Sequence, residues 1–166
     1  MMQFIDLYDD IDFMIALFFN GMLNNADIYE IANRLNNKTS DDVLVKIIAN
    51  GANCNNERLF DNYLNALGIK LFDSKRAIVA KVFYYILHNR LDLGKGIRFL
   101  DLKVLDYENT TEYLGDDVGI ERIIGNFYAS CDAIDKKKKE TLKKAVLEEM
   151  RQYVNDNLVE FSVGNI

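Results

Sequence analysis

Proline is absent from all 166 residues, and so is tryptophan. A chain without proline lacks the strongest breaker of helices. Only one histidine, His88, is present. A single imidazole excludes two-histidine metal sites, the HExxH arrangement and the paired Glu-x-x-His of helical di-iron proteins. Cysteine occurs twice, at Cys54 and Cys131, and neither lies in a CxxC. Two cysteines make no disulfide framework, so both are expected to be buried small hydrophobes in a reducing compartment. Long hydrophobic runs are also missing. The longest, Phe13–Phe19 and Val82–Leu87, fall far short of the ~20 residues that span a bilayer. The first residues, MMQFIDLYDDID, carry aspartates in place of a basic region, so no secretory signal is expected there.

Positive charge is in deficit. Twenty Lys and Arg stand against 26 Asp and Glu, for a net charge of −6. That balance disfavours a general affinity for DNA, RNA or anionic membranes. It suits a basic protein partner, and it also keeps a cytoplasmic protein in solution. Hydrophobic residues make up 49% of the chain, enough for a core that needs no metal or cross-link.

Apolar residues recur with the helical period, and no segment alternates as a strand would. Eight helices are predicted, at about 11–20, 25–36, 40–50, 56–67, 73–89, 95–104, 116–131 and 135–157. Thr39 or Ser40 is the expected cap of the third, with Asp41 and Asp42 favourable to its dipole. Gly21, Gly51 and Gly68 are the expected stops. Connections of a few residues, with no break in composition, give one all-α domain over residues 1–166. It is expected to be a helical bundle built from αα-hairpins. Its core is expected to include Phe13, Ile15, Leu17, Phe18, Ile31, Leu64, Val82, Phe83, Ile86, Leu87, Ile123 and Phe127.

No pattern for catalysis stands out. GxSxG, Walker A and GxGxxG are all missing. Gly94-Lys95-Gly96 lacks the rest of a phosphate loop and reads as a helix start with a close-packing glycine. Paired carboxylates such as Asp41/Asp42 and Asp116/Asp117 fall at helix starts, where the dipole accounts for them. No catalytic, cofactor-binding or metal-binding residues are assigned, and no cofactor is expected. Lys136–Lys139 opens the last helix and reads as a solvated face.

The most distinctive stretch is Asp101–Glu121, DLKVLDYENTTEYLGDDVGIE. Seven acidic residues stand there against Lys103 alone, a net charge of −6 within 21 residues. Carboxylates steer a basic protein and tyrosines anchor it at short range. The expected partner-binding residues are therefore Asp101, Asp106, Tyr107, Glu108, Glu112, Tyr113, Asp116, Asp117 and Glu121.

The segments IDFMIALFFNGMLNNADIYEIANRL and VFYYILHNRLDLGKGIRFLDL, the latter followed by the acidic stretch and IERIIGNFYASCD, together resemble small acidic helical immunity proteins. These are encoded beside polymorphic or contact-dependent bacterial toxins. The resemblance covers about half the chain and rests on hydrophobic pattern. It implies a non-catalytic protein that neutralises a basic toxin domain by binding it. The competing reading is a helical scaffold or adaptor of the kind found in phages and mobile elements. Neither nucleic acid nor a membrane is an expected partner, and the sequence assigns no oligomeric state.

Overall fold

A computed structural model describes residues 10–105 and 118–161 of the chain. Among these residues every regular element is helical: α1 (Ile11–Phe19), α2 (Asn25–Asn36), α3 (Asp42–Asn50), α4 (Glu57–Ala66), α5 (Ser74–Leu87), α6 (Leu93–Phe99), α7 (Val118–Asp132) and α8 (Lys136–Asn157). A π-helical turn, Leu100–Leu105, continues directly from α6. The all-α expectation holds, and seven of the eight predicted helices have a counterpart within about two residues; the sixth, expected over about 95–104, is α-helical only to Phe99 and continues as the π turn.

The chain groups into two units. Among the described residues, the first holds 10–74 together with 159–161, and the second holds 75–105 and 118–158. In the first, α1 is apolar on nearly every side and buries Ile11, Phe13, Met14, Ile15, Ala16 and Leu17. Asp10 caps it by accepting from the Phe13 N–H at 3.0 Å. A reciprocal pair starts α2: Asn24 Oδ1 accepts from the Asp27 N–H, and Asp27 Oδ2 accepts from the Asn24 N–H. Helices α2, α3 and α4 pack against one another through Ile28, Ile31, Leu35, Leu44, Ile47, Phe60 and Leu64, all buried.

The cap of α3 is Asp41, not Thr39 or Ser40. Its carboxylate accepts from the Val43 and Leu44 N–H groups, while the Thr39 hydroxyl turns back to the Leu35 carbonyl. Gly21, Gly51 and Gly68 each adopt a positive φ after a helix, as expected of stops. Asn89 does the same after α5 with φ 55°. The α3–α4 connection is fixed by Asn56, which is fully buried. Asn56 accepts from the Asn50 amide at 2.8 Å and donates to the carbonyls of Gly51 and Cys54 at 3.3 Å.

Within the second unit, α5 buries an unbroken run from Ala77 to Phe83. Phe83 meets Tyr153 of α8 edge-on, with ring centres 5.4 Å apart. Helices α7 and α8 form a hairpin, to which α8 contributes the buried Val146, Met150, Tyr153 and Val154. Of the expected core, ten residues are buried, while Phe18 and Leu87 are half-buried. Phe18 is placed edge-on to Phe60 at 4.9 Å, at the margin of its unit's core.

Candidate partner-binding surface

The acidic stretch begins in the π-helical turn and ends in the first turn of α7. Its starting geometry depends on Gly96. A Cβ there would lie 2.6 Å from Ile86 Cδ1 and 3.0 Å from Leu91 Cδ2, so only glycine lets α6 approach this closely. Asp92 caps α6 by accepting from the Lys95 N–H. The helix then widens into the π turn. Leu100, Val104 and Leu105 point inward, and Leu102 is left 68% exposed.

Asp101 is half-buried and accepts a 2.7 Å hydrogen bond from the Tyr128 hydroxyl of α7. Ionising that hydroxyl would set a phenolate against a carboxylate. The hydrogen bond to Asp101, reinforced by partial burial and by the Asp101 charge, pushes the Tyr128 pKa up to about 12, with Arg98 opposing. Glu121 is exposed on α7. Its neighbour Arg122 pairs with Glu149 of α8 at 3.0 Å.

Two of the nine expected partner-binding residues are thus placed, Asp101 and Glu121. Asp106, Tyr107, Glu108, Glu112, Tyr113, Asp116 and Asp117 lie outside the described residues. Tyr128 was not among the nine. Its only sequence signal is an aromatic residue on the polar side of α7, where it is 38% exposed.

The expectation for the cysteines is overturned. Cys54 and Cys131 are both free and exposed. Cys54 lies in the polar α3–α4 connection, and Cys131 lies on the exposed side of the last turn of α7. His88 follows the last residue of α5. Its ring lies 4.0 Å from that of Tyr84, and Nδ1 is 2.8 Å from the Tyr84 carbonyl oxygen. It helps to line a groove of about 450 Å³ between the ends of α5 and α8, together with Leu87, Arg151 and Val154. A second groove of about 440 Å³ runs along Asn89–Leu93 and Leu147. Its one carboxylate, Asp92, is engaged in capping α6. Among the described residues, no three His, Cys, Asp or Glu side chains gather closely enough to hold a metal ion. None of the helices there is long and apolar enough to cross a membrane. Comparison with protein-family models, with curated proteins and with solved structures gives no match to this chain.

Proposed function

We propose that the protein works by binding a basic protein partner through the segment 101–121, without catalysis. The observation that carries this reading is charge density. Six net negative charges in 21 residues equal the net charge of the entire chain. A patch of that density raises the association rate by long-range steering. The Asp101–Tyr128 bond supports the reading as well, because it ties the start of the segment to α7. Leu102 and Tyr128, both exposed, supply apolar contact beside the charges. In its narrower form the proposal is that of an immunity protein that covers a toxin domain, as the sequence resemblance implies.

Co-expression with a toxin encoded beside it tests the narrower form, and failure to rescue the cells counts against it. The interface is tested by surface kinetics at two salt concentrations with that partner. Neutralising Asp106, Glu108, Glu112, Asp116 and Asp117 to their amides is expected to slow association and flatten its salt dependence. Tyr107→Ala or Tyr113→Ala is expected instead to speed dissociation. An unchanged association rate after all five charges are removed places the interface elsewhere.

A further inference from the structure

We infer that the tip of the α7–α8 hairpin docks on the surface of an anionic lipid bilayer. Two independent features meet at this tip. The first is a set of lysines clustered at one helix start. Lys136, Lys137, Lys138, Lys139, Lys143 and Lys144 occupy the start of α8, all exposed or half-buried. No ion pair to any of them is found among the described residues. The run opens a helix, where the positive end of the dipole repels cations. Lys136 with Lys139, and Lys139 with Lys143, set like charges at helical-neighbour spacing. Both placements are unfavourable to the helix taken alone, and a bound anionic surface would relieve them.

The second feature is Ile134. It stands in the three-residue turn Ala133–Asp135 and is fully exposed. An isoleucine at the very tip of a hairpin contributes nothing to either helix's packing. Beside a polybasic helix start it suits a bilayer, where the ammonium groups meet lipid phosphates while the apolar side chain enters the interface. A nucleic acid offers the phosphates but no apolar phase for Ile134.

Two aspartates flank the isoleucine. Asp135 is engaged as the cap, accepting from the Lys137 N–H at 2.9 Å. With Asp132, Asp135 and Glu140 counted against the six lysines, residues 132–144 still carry +3. The −6 of the whole chain does not cancel this locally, since charges beyond ~10 Å are screened at ordinary ionic strength. The site shares no residue with the acidic segment, so the two readings are tested separately.

The test is sedimentation of the full chain with vesicles of phosphatidylcholine alone, and with vesicles in which roughly one-third is phosphatidylserine. The chain is expected to partition onto the anionic vesicles and to be released by salt. Ile134→Asp is expected to weaken partitioning several-fold. Charge reversal of Lys136, Lys137, Lys138 and Lys139 to Glu is expected to weaken it by about tenfold or more. Helical circular dichroism matching the parent confirms that these surface variants fold. Failure of the parent to bind anionic vesicles at low salt overturns the proposal. So does an Ile134→Asp variant that binds as well as the parent, or capture by a DNA duplex with none by vesicles.

Discussion

Tyr128 and Asp101 lie 27 residues apart in the chain and meet at 2.7 Å. Because this contact holds the phenolic proton, it has a pH signature. Unfolded tyrosine loses its proton near 10, whereas Tyr128 in the folded chain holds its own to about 12. The contribution of the bond to stability is therefore complete below about pH 10 and is lost as pH rises through 10 towards 12. Tyr128→Phe should remove that part of the alkaline dependence. It should also delete a late-titrating phenol from the absorbance titration. Tyr63, raised mainly by burial and partly countered by a hydrogen bond to Thr39, remains as an internal reference. An alkaline titration identical in the two proteins means that the bond is not formed. The side chain is exposed enough that the effect at neutral pH is expected to be small.

Single residues were also where the sequence was least legible. The stop at Gly51 could be read from type and position, but the cap of α3 could not. Thr39, Ser40, Asp41 and Asp42 all suit a helix start, and only the path of the chain assigns the work to Asp41. Asn56 could be mistaken for part of a polar, asparagine-rich stretch. It proves to be a buried clasp whose partners become visible only when the turn is built. The exposed cysteines show the opposite error, in which a residue type usually found inside was placed inside without an apolar pattern around it.

At the scale of the element, two glycines within helices make opposite predictions. Gly96 is buried against Ile86 and Leu91, and a Cβ there would come within 2.6 Å of Ile86 Cδ1. Gly96→Ala is therefore expected to destabilise the protein by about 1–3 kcal/mol, since the neighbours must shift. Gly125 in α7 has nothing within 4 Å of the same position. Gly125→Ala is expected to stabilise by up to about 1 kcal/mol, through helix propensity alone. Urea unfolding of the two variants measures both signs, and a Gly96→Ala protein as stable as the parent would refute the close approach. The elements themselves were largely legible, because runs of apolar residues at a 3.6 period outlast local ambiguity. The exception is the π turn. The short sixth helix was expected to run to about Val104 as an α-helix, and instead it changes its hydrogen bonding at Leu100. Over six residues, the two kinds of turn bury nearly the same apolar positions, so hydrophobic period does not separate them. The candidate surface was legible only as composition: charge density marks the stretch, while the Tyr128 partner comes from a helix well beyond the first placed carboxylate.

For the whole molecule, the notable feature is the path of the chain. It leaves the first unit at Ser74, builds the entire second unit, and returns at Val159. On return, the Phe161 N–H donates to Asp12 Oδ1 at 2.8 Å, and the Phe161 ring meets Phe72 at 5.2 Å. Phe161→Ala is expected to cost about 1–2 kcal/mol, from the aromatic pair and the apolar area it covers. Chemical denaturation measures it, and a loss near zero would mean that the returning segment does not help to hold the first unit. No linker composition marks either crossing. One falls at the first residue of α5 and the other at the end of α8, where helical pattern masks any boundary.

That path gives the first unit a history as well as a shape. On a ribosome, helices α1 to α4 emerge long before the residues that complete their unit. At typical synthesis rates the interval is on the order of ten seconds. During that time the Phe161 N–H that donates to Asp12 is still 149 positions downstream, and so is the ring that packs on Phe72. The second unit, continuous in sequence, can finish folding first. A nascent chain that has emerged only as far as Leu158 would therefore carry one unit that is complete and one that is older yet still open.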